Sequence, residues 1–366
     1  MGLIDVIQNN NIPKVILRYI MINFLDLESI KKVILTAKIM NVLDDNSKNF
    51  LEKVGKGFIW NCENGHLKVA KWLYSFTNIN IHDDDGAAFR LSCGNGKLEV
   101  AKWLREIGKI DINAEGECIL GFLCQNHAKH ESAFKVSCKN GHLEVAKWLH
   151  SLGGINIHAN NEAAFIFSCK NGHLEVVKWL HSLGGINIHA HEEHAFAVSC
   201  GNGHLEVAKW LRSIGNVNIH TSQESAFGTA CQFGHLEVAQ WLYSLGGVNI
   251  HANEEYAFRY SYYYNHLEIA QWLYSLGGID IHVNDEFAFR YSCKYGYLEA
   301  VKWLYSLGGV DIHAANEFAF GWACYYGCLE LVQWLYSLGG VNIHADNDFA
   351  FRCGTPNVKK WLAEIS

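Results

Sequence analysis

Residues 171–190 read NGHLEVVKWLHSLGGINIHA. Their apolar positions, Leu174, Val176, Val177, Trp179, Leu180 and Leu183, spread too widely around a helical wheel for a helix that buries one stripe. The pattern therefore predicts a helix covered on two sides. Gly184 and Gly185 stop it, and the β-branched INIH that follows predicts an extended arm. Upstream, EAAFIFSCKNG carries Ala164, Phe165, Phe167 and Cys169 and predicts a first helix ending at Gly172, where glycine can take a left-handed cap. Between arm and helix the polar ANNE turns the chain, with Asn160 or Asn161 placed to cap the helix.

The same frame returns along most of the chain. Trp72, Trp103, Trp148, Trp179, Trp210, Trp241, Trp272, Trp303 and Trp334 stand 31 residues apart at every step except Trp103 to Trp148, which is 45. A repeat of that period predicts an all-α helix-turn-helix solenoid whose tryptophans are interior staples. Cys62, Cys93, Cys138, Cys169, Cys200, Cys231, Cys293 and Cys324 share one slot on the first helix, with Tyr262 in the exceptional unit. Free cysteine there is a small hydrophobe, not part of a disulfide framework.

Two histidine ladders invite a metal or acid–base reading, and the frame argues against it. His66, His142, His173, His204, His235 and His266 occupy one turn position that Lys97, Tyr297 and Cys328 also fill, an exchange no metal ligand would tolerate. His158, His189, His220, His251, His282, His313 and His344 form the second ladder, one per tip. Members one repeat apart are separated by about 10 Å if stacked helices set the spacing. Ligands at roughly 2 Å cannot then share an ion. Both ladders are read as structural, with no metal and no cofactor.

The broken step has two readings. ECILGFLCQNHAKH holds Cys118, Cys124, His127 and His130, four candidate zinc ligands at a spacing tighter than a finger. Alternatively, the 45-residue step is two periods short by 17, the length of GHLEVAKWLHSLGGINI. An orphan first helix would then lie near 115–126, leaving Ile119, Leu120, Phe122 and Leu123 seeking cover and a flaw in the stack.

CKNGHLEVVKWL resembles the second half of an ankyrin repeat, and the resemblance covers residues 53–366. It implies nine helix pairs, the orphan helix and a shortened C-terminal cap at 351–366, where Thr355 and Pro356 start the last helix. Ala163, Ala164, Phe165 and Ile166 replace the family's Thr-Pro-Leu-His opening, and the period is two residues shorter than usual, so the tips should be short. Tryptophan-rich, proline-poor arrays of this kind resemble those encoded by giant DNA viruses of amoebae. Residues 1–52 lack the repeat but keep a helical pattern after Pro13, reading as an N-terminal cap; the segment also resembles an F-box, which docks a ubiquitin-ligase linker.

Composition narrows the function. A net charge of -7 argues against a nucleic-acid binder, and no apolar run reaches the length of a membrane span. No phosphate loop, His-Glu-x-x-His or nucleophile elbow interrupts the repeats, so no catalytic residues are expected. What remains is a cytoplasmic, monomeric scaffold that binds a protein partner through the concave side implied by the resemblance, or a ligase adaptor using the F-box-like segment. The residue type changes toward the C-terminus while the frame does not. Ala163, His194 and Ser225 give way to Tyr256, Phe287, Phe318 and Phe349, and the helix end gains Tyr263, Tyr264, Tyr295, Tyr325 and Tyr326. These rings, beside the acidic tip residues Glu255, Asp285, Glu286 and Glu317, are the candidate partner-binding face for a partly basic protein; the other reading is that they pack against one another.

Overall fold

Helices are the regular elements of the computed structural model among the described residues, 47–76, 79–108, 110 and 132–366. They come in pairs joined by a tight turn. The pairs are α1 (Ser47–Asn64) with α2 (Leu67–Phe76), α3 (Asp83–Gly94) with α4 (Leu98–Gly108), α5 (Ala133–Lys139) with α6 (Leu143–Ser151), and α7 (Ala159–Lys170) with α8 (Leu174–Ser182). They continue with α9 (Ala190–Gly201) and α10 (Leu205–Ile214), α11 (Thr221–Gln232) and α12 (Leu236–Ser244), and α13 (Ala252–Tyr263) and α14 (Leu267–Ser275). Last come α15 (Val283–Tyr295) and α16 (Leu298–Ser306), α17 (Ala314–Tyr326) and α18 (Leu329–Ser337), and α19 (Ala345–Cys353) and α20 (Pro356–Ile365). The all-α helix-turn-helix repeat predicted from the pattern is the fold. Packing divides the chain into two compact units, Met1–Ser168 with Glu175–Gly184, and Cys169–Leu174 with Gly185–Ser366. Most of the predicted cap at 1–52, with its F-box-like pattern, lies outside the described residues. So do the orphan helix at 115–126 and the candidate zinc ligands Cys118, Cys124, His127 and His130.

Neither helix of a pair can bury its own apolar face, so each first helix is closed by the next pair. The Phe58 ring meets Trp103, Phe89 meets Trp148 and Phe134 meets Trp179 in the first unit; Phe196 meets Trp241 and Phe227 meets Trp272 in the second, all with centroids 6.2–6.3 Å apart. These phenylalanines are almost fully buried. The tryptophans are staples between pairs, but only Trp72 and Trp103 are buried; Trp148, Trp179, Trp241 and Trp272 are half-buried. The expectation of interior tryptophans is corrected accordingly: one edge of each indole reaches the outer side of the second helix. There an aromatic of the preceding pair stands against it edge-on, as in Tyr243 to Trp272 and Tyr336 to Trp361.

A serine ladder runs beside the cysteine slot. Ser168 donates to Ala164 O at 2.7 Å within its own helix and to Cys138 O at 3.0 Å in the preceding one; Ser199 repeats this toward Ala195 and Cys169. The cysteines are buried, and burial pushes the Cys62 and Cys324 thiols up to about 12. In the exceptional unit Tyr262 is 1% exposed and stacks on Trp303.

Hydrogen bonds join the described flanks of the irregular step. Ser137 donates to Cys93 O at 3.3 Å, the contact that Ser168 and Ser199 repeat in later first helices, and Asn140 donates to Gly94 O at 2.6 Å. These bonds join α3 and α5; the orphan segment near 115–126, from which a flaw in the stack is expected, lies outside the described residues.

The turn histidines face the glycine of the preceding turn. Gly203 has φ +79°, and a Cβ on it would lie 2.6 Å from His235 Nδ1, so glycine is required both for the left-handed backbone and for the ring. Burial lowers the pKa values of His142, His235 and His266 below the usual imidazole value.

Two outcomes follow. Phe227→Ala should cost about 3–5 kcal/mol, the range for a buried aromatic, and Trp241→Ala less; urea unfolding checks the order. Because the unfolded chain binds protons more readily at the turn histidines, stability should fall as pH drops below about 6.5 toward their lowered folded values. His235→Gln should flatten that fall, as measured by unfolding midpoints between neutral pH and pH 5.

Candidate functional site

Each tip is built around a histidine and a carboxylate four residues on. His158 Nδ1 lies 2.9 Å from Glu162 Oε1, His251 2.8 Å from Glu255 and His313 2.7 Å from Glu317. Asn160 and Asn161 do not cap α7 as expected. With Glu162 they form one left-handed turn, at φ 53°, 56° and 64°, that recurs in later tips. Left-handed residues cost about 1–2 kcal/mol each, least for asparagine. The turn persists because it carries the glutamate inward, to 5–9% exposure from Glu162 through Glu317. The carboxylate then accepts from the next tip: Asn218 N donates to Glu193, Asn249 N to Glu224, Asp311 N to Glu286 and Asn342 N to Glu317, at 3.1–3.4 Å. The tip ladder thus joins consecutive pairs.

That geometry corrects the predicted acidic rim. Glu255, Glu286 and Glu317 are buried in tip pairs; Asp285 is exposed, as is Glu254. The charges that accompany the rings are instead positive. Arg259 lies 5.2 Å from the Phe287 centroid, Arg290 lies 4.9 Å from Phe318, and Lys294 lies 4.6 Å from Trp322.

The aromatic positions occupy α13, α15, α17 and α19 at helical spacing, opposite the buried Ala-Phe pairs. Tyr256 packs on Tyr260 at 4.4 Å, Phe287 stacks on Tyr291 at 4.3 Å, and Phe318 packs on Trp322 at 5.7 Å. Contacts from helix to helix link these pairs: Tyr260 to Phe287, Tyr291 to Phe318 and Trp322 to Phe349. Of the nine expected residues, Tyr256, Phe287, Phe318, Phe349, Tyr263 and Tyr295 are half-buried within this ladder. The Tyr295 hydroxyl donates to Tyr263 at 3.0 Å, and this bond raises its pKa. Tyr256 donates to Gln232 Oε1, and burial raises its own pKa. Tyr264, Tyr325 and Tyr326 stand out at 42%, 45% and 49% exposure. Mutual packing and exposure therefore coexist, the inner rings supporting the outer ones.

The sequence reading omitted Tyr260, Tyr291 and Trp322, although they fall four residues after Tyr256, Phe287 and Phe318. It also omitted Phe233, which is 49% exposed and packs on Tyr264. At the far end of the ladder a depression of about 280 Å³ opens between α17 and α19, lined by Ala315, Asn316, Phe318, Gly321, Trp322, Asp346 and Phe349 among others.

A family model described as ankyrin repeats matches residues 58–161, 117–192, 165–254, 195–285 and 256–347. The chain belongs to the ankyrin-repeat family. Ankyrin repeats are in general modules that bind other proteins and do not catalyse reactions. No curated protein matches the chain. Among the described residues no helix is long and apolar enough to cross a membrane, and no three His, Cys, Asp or Glu side chains converge on a metal position. In the ankyrin frame the aromatic ladder follows the first helices from their starts beside the tips to their ends beside the turns.

The two layers of rings should respond differently to substitution. Tyr325→Ser and Tyr326→Ser should each change stability by no more than about 0.5 kcal/mol, as exposed positions do, whereas Tyr291→Ser, inside the ladder, should cost more. Thermal unfolding followed by circular dichroism distinguishes them.

Proposed function

We propose that this ankyrin array is a non-catalytic scaffold that binds a protein partner through the aromatic face of α11 to α19, on the side formed by first helices and tips. The observation that carries the reading is the cluster of exposed rings, Phe233, Tyr264, Tyr325 and Tyr326, on a ladder of supporting aromatics. Rigid aromatic anchors contribute much of the energy of protein interfaces. The exposed rings lose little conformational freedom on binding, since their neighbours already hold them. Arg259, Arg290 and Lys294 sit against the same ladder, so the proposed partner brings apolar and acidic groups to its middle, where the earlier expectation was of basic ones.

The resemblance to arrays of giant amoebal viruses extends the proposal to a partner in the host cytoplasm. The ligase-adaptor reading rests on the F-box-like pattern within residues 1–52; it differs in requiring that segment for a second partner.

Proximity labelling in the native cell, followed by capture with purified full-length chain, tests the reading. A folded Tyr264→Ser/Tyr325→Ser/Tyr326→Ser variant should lose the captured partner by at least about tenfold, the weight of a modest hot spot. Undiminished capture would refute this face. Deleting residues 1–46 should leave capture intact, and loss of a ligase component alone would favour the adaptor.

A further inference from the structure

Repeats differ at the residue that follows the buried Ala-Phe pair, and the differences define a site. In α13 this residue is Arg259. Its Nε donates to Glu254 O at 2.5 Å and its Nη2 to Asn253 O at 2.9 Å, while its guanidinium lies 5.2 Å from the ring centroid of Phe287 in the next repeat. Arg290 in α15 repeats the arrangement: Nε donates to Asp285 O, Nη2 to Asn284 O at 3.0 Å, and the guanidinium lies 4.9 Å from Phe318. Both acceptors are carbonyls of the left-handed tip turn, and the ring comes from the following first helix.

In α17 the same position is Gly321. The tip carbonyls and the ring that hold the arginine in the two preceding repeats are present, with the ring drawn in against the glycine: a Cβ on Gly321 would lie 3.0 Å from Phe349 Cδ1. The tip turn has the same backbone, with φ 53°, 59° and 58° at Ala315, Asn316 and Glu317 against 54°, 53° and 60° at Asn284, Asp285 and Glu286. The next-repeat ring is present as Phe349, and among the described residues no cation lies over it. The depression found here is lined by Ala315, Asn316, Gly321, Trp322 and Phe349. Its lining includes the carboxylates Glu317 and Asp346, the second exposed, and no lysine or arginine. Gly228 also occupies this position, but Ser225 and Thr229 replace the aromatic walls that Phe318 and Trp322 provide.

We propose that this depression is a receptor site for an arginine side chain of the protein partner, which takes the place over Phe349 that Arg259 and Arg290 take internally over Phe287 and Phe318. The two tip carbonyls accept from the planar guanidinium, Phe349 supplies the π face and Asp346 the charge. Lysine fits poorly: a point ammonium cannot span two carbonyls while lying flat on a ring. The proposal deepens the binding reading above, adding a basic anchor at the end of a face whose middle is already cationic.

The test uses the full chain and the probe acetyl-Gly-Arg-Gly-amide, with Lys and citrulline versions as controls, read by amide and aromatic chemical shifts in NMR. The arginine peptide should shift Gly321 and Phe349 saturably, and at least about tenfold more tightly than either control. Gly321→Arg, whose Cβ would lie 3.0 Å from Phe349 Cδ1, should push that ring aside, fill the site from within and abolish the response in a protein that still folds. Arg290→Gly should create a second site over Phe318, doubling the stoichiometry. Equal responses to Lys and Arg peptides, or an unchanged response in Gly321→Arg, would overturn the proposal. If Gly321→Arg does not fold, the stoichiometry of Arg290→Gly decides alone: two sites support the proposal and one refutes it. Sedimentation of the unmodified chain supplies a further check: self-association abolished by Gly321→Arg would assign the arginine to a second copy and overturn the partner assignment. Failure of the peptide to bind, with tyrosine-dependent capture retained, would remove this site and leave the scaffold reading standing.

Discussion

The fold depends on one constraint: a helix pair this short cannot bury its own first helix. That helix presents a phenylalanine to the next pair, whose tryptophan-bearing helix covers it, and a serine to the preceding first helix. In this dry interface Ser137, Ser168 and Ser199 bond back to their own helix and across to the preceding cysteine carbonyl, whereas the buried Ser292 hydroxyl has no partner among the described residues. The cysteine beside it has room for a thiol and little more. Tyr262 shows what relieving that limit takes, since its ring fits by stacking on Trp303, while its hydroxyl finds no partner. Stability is therefore a property of neighbouring pairs. Across the irregular step α5 still makes the serine bond to the cysteine carbonyl of α3.

The tips answer a second consequence of the same constraint. Stacked pairs leave backbone N–H groups in each arm facing the tip before it. A buried carboxylate meets them and would be expensive without compensation. The histidine four residues earlier provides it, and the left-handed turn sets the distance between the two. At the C-terminal end the chain supplies its own control. His344 pairs with Asp348, whose side chain is 56% exposed, in place of a buried glutamate. The shorter acid stands where no further tip follows in the described chain, so there is no N–H for a glutamate to reach.

Much of this was legible because repetition separates frame from content. The helix pairs, the left-handed glycines, the cysteine slot and the structural nature of the histidines follow from spacing alone. Three things were not. The left-handed tip turn was invisible because ANNE reads equally as a cap, and only the position of the glutamate, aimed at a neighbour 25 residues away, decides between them. The half-exposure of the tryptophans depends on where the second helix faces solvent, which a wide apolar arc does not specify. The acidic rim was misjudged because Glu255, Glu286 and Glu317 look like surface charges in sequence and are interior acceptors in space. The expected aromatic residues do come together, though the supporting rings Tyr260, Tyr291 and Trp322 had to be seen to explain why the outer ones are held.

In a protein whose interior repeats itself, the informative residues are those where equivalent positions disagree. A position that is always phenylalanine or cysteine reports only the packing problem that every pair shares. Positions 259, 290 and 321 report something else, since they meet nearly the same backbone and the same kind of ring with arginine, arginine and glycine. An arginine there closes the gap between a tip and the next first helix and ties the two together through carbonyl and π contacts. Replacing it by glycine gives up that closure while the tip backbone keeps its shape and the next ring packs close against the glycine, 3.0 Å from where a Cβ of Gly321 would lie. The array can therefore open a shaped, polar-edged cavity at a chosen repeat by one substitution, with its recognition geometry already defined by the neighbours that keep their arginines.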